Sequence, residues 1–100
     1  MKTSELTGIA LDWAVSAAKG LSWKLHGHIP FSTDWAQGGP IIERERICIA
    51  ATPSAHWDAR TSDYPPRYIS GATPLIAAMR CFVASKLGDE VDAPDELKGE

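Results

Sequence analysis

Cysteine is scarce in these one hundred residues: Cys48 and Cys81 are too few for a disulfide scaffold. In a reducing compartment the expectation is two small buried hydrophobes. No apolar run approaches the ~20 residues that a membrane helix needs. The opening Met1-Lys2-Thr3-Ser4-Glu5 has no apolar signal core, so the chain is expected to stay in the cytoplasm, off the membrane. Nucleotide signatures are missing too, because Gly38-Gly39 has neither a Walker lysine nor a Gly-x-Gly-x-x-Gly spacing after a strand. Ser32 lacks a nucleophile-elbow setting and a partner base. There is no basic stripe, which disfavours nucleic acid as a partner.

What is present is 44% apolar content with four tryptophans, enough for one core. The net charge of −3 hides a split. Beyond Leu87, six carboxylates face Lys98 alone, a local −5 that leaves +2 on residues 1–87. This predicts one compact domain over 1–88 and a disordered, flexible acidic tail over 89–100, able to fold back and compete with an anionic partner.

Along the chain, Leu6, Ala10, Trp13, Ala14, Ala17 and Leu21 recur at helical spacing from Ser4 or Thr7 to Lys19, with Asp12, Ser16 and Lys19 on the wet side and Gly20 as the stop. Leu21–His26 alternates and predicts a short strand. In 32–46, Ser32, Thr33 or Asp34 can cap one turn, Gly38-Gly39 offers positive φ and Pro40 starts a second turn, giving a hinged connection. Arg46–Thr52 and Ala55–Arg60 alternate as a hairpin, and Thr61–Ala72 shows no regular period. Thr73-Pro74 opens a helix to Leu87 with an apolar arc of Leu75, Ile76, Met79, Phe82, Val83 and Leu87. The expected fold is α+β, a three-stranded antiparallel sheet packed on one face by two amphipathic helices, with long loops.

The words Ser32 to Glu45, Trp57, Gly71 to Arg80, Ser4 to Gly8 and Leu11 to Val15 resemble a small phage and prophage family of unknown function, NinX-like. The resemblance implies a bacterial cytoplasmic setting and a phage-accessory role. It brings no activity, catalytic residue or cofactor.

Several constellations carry chemistry. His26-x-His28 with His56 contains metal-ligating side chains, but at no recognised spacing, so no metal is assigned. Asp34, Glu43 and His56 form the set for an alternative, a small hydrolase-like enzyme, yet no reaction motif joins them and no catalytic residue is assigned. All five arginines fall between 44 and 80, where Arg44, Arg46, Arg60, Arg67 and Arg80 accompany Trp35, Trp57, Tyr64 and Tyr68. Guanidinium forks and rings suit a planar anion or a protein hot spot. Trp57 shares a face with Ala55 and Ala59 and is expected in the core, whereas Trp35 is balanced between core and surface. The function expected is a non-enzymatic binding module for a host protein or small anionic ligand, without cofactor, as a monomer or weak dimer. Its site is assigned to Asp34, Trp35, Gly38, Gly39, Glu43, Thr73 and Arg80.

Overall fold

In the computed structural model, residues 1–61, 68–94 and 97 are described. After a 3-10 turn at Thr3–Glu5 come α1 (Gly8–Ala18), α2 (Trp23–His26), α3 (Trp35–Glu45), β1 (Cys48–Ala51), β2 (Trp57–Arg60), β3 (Tyr68–Gly71) and α4 (Pro74–Leu87). The strands form an antiparallel sheet in the order β1-β2-β3. Its register aligns Ile49, Ala59 and Ile69 in one row and Ala51, Trp57 and Gly71 in the next row on the same face.

Helix α4 lies across that face and touches all three strands. It can come close because the facing positions are small: Ala77 and Ala78 are fully buried, and a Cβ on Gly71 would fall 2.6 Å from the Ala77 amide nitrogen. Helices α1 and α3 pack on α4 in turn. Thus α4 is enclosed on more than one side, which is why Ala77, Ala78 and Cys81 are buried along with the expected Leu75, Met79, Phe82 and Val83.

The α+β class and the three-stranded antiparallel sheet are as expected, but the chain builds them differently. The predicted strand at Leu21–His26 is the helical turn α2, capped by Ser22, with Leu25 83% exposed. Alternation there buries no face, so nothing selects an extended conformation. The third strand is instead β3, inside the stretch with no evident period. Gly71 weakens its pattern yet is required by the approach of α4. Residues 62–67, including Tyr64 and Arg67, lie outside the described residues.

The largest departure is at 35–45. Residues 38–40 are not a hinge: one helix runs unbroken through Gly38, Gly39 and Pro40, and neither glycine has positive φ. Pro40 deprives the Ala36 carbonyl of its helical donor. Gly39 tolerates the position before proline because it has no Cβ for the ring to strike. The helix ends with Arg46 at φ 56° and with Ile47 N donating to Ile42 O at 3.1 Å, a Schellman closure.

Asp12 and Ser16, expected to be wet, are 3% and 2% exposed. The loop 28–32 folds back over Asp12. Ser32 N donates to Asp12 Oδ1 at 2.8 Å, and His28 Nε2 lies 2.7 Å from Asp12 Oδ2. Of the two thiols, Cys81 is buried but Cys48 is exposed, because its register position faces away from α4. Of the expected tail, the described part lies along the N-terminus. Thr3 N donates to Asp89 O at 2.8 Å and Val91 N to Met1 O at 2.9 Å, and Val91, Ala93 and Leu97 are buried. Residues 95–96 and 98–100 lie outside the described residues.

Candidate functional site

Two helices start side by side. Asp34 caps α3 through Oδ1, which accepts from Ala36 N at 3.0 Å, and Thr73 caps α4 through Oγ1, which accepts from Ile76 N at 3.1 Å. Between the two starts is a groove of about 230 Å³ lined by Ser32, Thr33, Trp35, Thr73, Pro74, Leu75 and Ile76. Gly38 sets the separation of the helices. A Cβ there would fall 2.6 Å from both Leu75 Cδ1 and the Phe31 carbonyl oxygen.

Trp35 stands at the groove with 53% of its surface exposed, whereas Trp13, Trp23 and Trp57 are half-buried. Ser32 is 2% exposed, and its Oγ has no hydrogen-bond partner among the described residues. Its backbone is pinned by the bond to Asp12, so buried Asp12 fixes one wall of the groove from α1.

The structure brings Trp35 and Thr73 together, with Asp34 beside them as a cap and Gly38 packed behind. Gly39 contributes space, since a Cβ there would be 4.0 Å from Trp35 Cε3. Glu43 is exposed and lies eight residues farther along α3, roughly 12 Å by helical rise. Arg80 is elsewhere: its Nε donates to Leu6 O at 2.7 Å and its Nη1 to Ser70 O at 2.8 Å, tying α4 to the N-terminal turn and β3. Burial pulls its guanidinium below the usual arginine range, opposed by the charge of Glu5.

The other arginines are dispersed as well. Arg60 lies 5.9 Å from the Tyr68 ring centroid on the open sheet face. Arg44 Nε and Lys86 Nζ reach Glu45 at 3.2 and 3.3 Å. Burial pushes the Glu45 carboxyl up, but hydrogen bonds from Arg44 and Lys86 outweigh it and hold the group below its usual range. The alternation of charge at 43–46 is therefore partly an ion-pair ladder.

The imidazoles occupy separate places. His26 Nδ1 is 3.1 Å from Ser22 O, His28 is bound to Asp12, and His56 Nδ1 is 3.3 Å from Ser54 O. No group of three metal-ligating side chains converges among the described residues. The depression around His56 is lined by Thr52, Ser54, Asp58 and Ser70, and neither Asp34 nor Glu43 belongs to it.

Sequence reasoning weighed Ser32 as a helix cap or a nucleophile, and gave Pro74, Leu75 and Ile76 a place in the last helix but none in the binding site. The signal for these was the Thr73-Pro74 helix start, whose first turn had to face something. Nothing signalled the Asp12 contact, which joins residues twenty positions apart.

Fold and site define a small α+β protein with a solvent-open groove at two helix starts. Residues 2–86 match the family model described as Bacteriophage P22, NinX, and the chain belongs to that family. No curated protein matches the chain. Among the described residues no helix is long and apolar enough to cross a membrane.

Proposed function

We propose that the protein is a non-enzymatic phage accessory module that captures a partner in the groove beside Trp35, in the cytoplasm of the bacterial host. The observation that supports this is the exposure of Trp35 next to a groove walled by Pro74, Leu75 and Ile76. An exposed indole against apolar walls is hydrophobic surface waiting to be covered, and aromatic anchors of this kind dominate binding energy. Covering the exposed indole is worth roughly 1.5–3 kcal/mol before the costs of association.

The test is a saturable complex with a host protein or small ligand, measured with wild type, Trp35→Ala and Leu25→Ala. Trp35→Ala is expected to weaken binding at least tenfold with the circular dichroism spectrum unchanged. Leu25→Ala, at the equally open turn α2, is expected to bind as wild type does. Undiminished binding by Trp35→Ala sinks the assignment of this site.

A further inference from the structure

We infer that the open edge of the sheet is an interface with a second copy of this chain, β1 pairing antiparallel with its counterpart about a two-fold axis at Ala50. This surface is independent of the groove beside Trp35.

The two edges of the sheet differ. At β3, Arg80 Nη1 donates to the outward Ser70 carbonyl at 2.8 Å, and the Thr3–Glu5 turn packs alongside. At the other edge, β1 has β2 on one side and no strand on the other. Protein edges are commonly blunted by lysine, proline, a bulge or a covering element. Cys48–Ala51 contains neither charge nor proline and pairs residue for residue with β2, and Cys48, Ala50 and Ala51 are exposed.

The direction of the backbone groups follows from the register. Thr52 N donates to His56 O at 3.0 Å, so Thr52, Ala50 and Cys48 bond toward β2, and Ile49 and Ala51 turn their N–H and C=O outward. This outward run is closed at both ends. Ile47 N is already taken by Ile42 O at 3.1 Å, and Pro53 has no N–H. One antiparallel register leaves no outward group idle: Ile49 opposite Ala51 of the second copy, and Ala51 opposite its Ile49. Registers centred on Ile49 or on Ala51 instead set an Ala51 carbonyl against Ile47 or an Ile49 carbonyl against Pro53, neither of which has a donor to give. The edge is complementary to itself, which is what an isologous contact requires, and this favours a second copy over an unrelated strand.

The side chains agree with that register. On the inner face, half-buried Ile49 would cover the exposed Ala51 of the other copy. On the open face Ala50 meets Ala50 and Cys48 meets Thr52, so no like charges are opposed. A seam of single strands buries little area, which makes the dimer weak and concentration-dependent.

Sedimentation equilibrium of the full chain over a concentration series tests this, with Ala50→Lys, Ala51→Pro and Ser70→Lys beside wild type. Wild type is expected to pass reversibly from monomer to dimer. Ala50→Lys sets two ammonium groups face to face at the axis and is expected to weaken dimerisation roughly tenfold or more. Ala51→Pro deletes an outward donor but no bond to β2, and should weaken it too, with the circular dichroism spectrum unchanged in both variants. Ser70→Lys, on the covered edge, should dimerise as wild type does. Thiol oxidation reads the register. The Cα atoms of the Ala50 pair would lie about 4.5 Å apart, within disulfide range, so Ala50→Cys in a Cys48→Ser chain is expected to crosslink. The Cys48 thiols of wild type, displaced by about 14 Å along the seam, are not. A monomer at every concentration, a dimer untouched by Ala50→Lys, or crosslinking through Cys48 overturns the inference. A dimer lost in Trp35→Ala but kept in Ala50→Lys belongs to the groove and overturns it as well.

Discussion

Replacing Gly38 and Gly39 by alanine one at a time should give opposite outcomes, although the two are neighbours in one helix. At either position alanine gains up to ~1 kcal/mol of helix propensity. At Gly38 the new methyl would sit 2.6 Å from Leu75 Cδ1 and 2.6 Å from the Phe31 carbonyl oxygen. The leucine tip can move; the carbonyl is backbone, in a segment held by Ser32 N on Asp12 and Phe31 N on Ile29 O. Overpacking costs typically 1–3 kcal/mol, and a fixed backbone neighbour puts this site near the upper end. Net destabilisation should be about 1–2 kcal/mol, a fall in Tm of roughly 4–16 °C for a domain of this size. At Gly39 the nearest atom is Trp35 Cε3 at 4.0 Å, so the propensity gain meets only the crowding of a Cβ before Pro40. The change should stay within about 0.5 kcal/mol. Thermal melts and urea titrations by circular dichroism report both. A Gly38→Ala protein at least as stable as wild type, or equal losses at the two positions, refutes the close approach of α3 to α4 at the groove.

Arg80→Ala should cost about 2–4 kcal/mol in urea unfolding, because two carbonyls lose a charged donor. Arg80→Lys should recover less than half, since one ammonium cannot span Leu6 O and Ser70 O as a planar fork does. Glu45 gives the pH dependence. Its carboxyl is held below the usual range in the folded state, so its contribution is present above the unfolded value of about 4.3 and is lost as pH falls through the lower folded value. Wild type should therefore exceed Glu45→Gln by under about 1 kcal/mol at pH 7, since Arg44 and Lys86 are about half exposed, and the gap should close as acidification passes the lowered folded value. A gap that widens on acidification contradicts the ion pairs.

The parts of the fold legible in the sequence were those where local preference and burial agree. Thr73-Pro74 opens α4, and Gly20 at φ 78° closes α1 with Leu21 N on Ser16 O. Ile49, Trp57 and Ala59 face inward as their alternation predicts. Illegible parts were those where tertiary contact overrides local preference. Gly-Gly-Pro reads as a turn by propensity, but Ile41, fully buried, and the tight fit of Gly38 against Leu75 hold it helical. Of the residues grouped as a candidate site, Trp35 and Thr73 line one groove, but Arg80, grouped with them on chemistry, spends its donors on backbone carbonyls two helical turns away. Spacing along α4 alone separates Thr73 from Arg80 by seven residues, roughly 10 Å.

The Asp12 contact explains why the groove depends on a helix that contributes no lining residue to it. A buried carboxylate is expensive unless each oxygen is satisfied. Here one oxygen accepts from Ser32 N and the other lies against His28 Nε2, so Asp12 is stable only while the loop 28–32 stays folded over α1. That loop supplies Ser32 to the groove and leads through Thr33, also a lining residue, into Asp34, the cap that starts α3. The Ser32 backbone is thus set from beneath by α1, while α4 supplies the facing wall. The shape of the groove therefore depends on Asp12 as much as on the residues that line it.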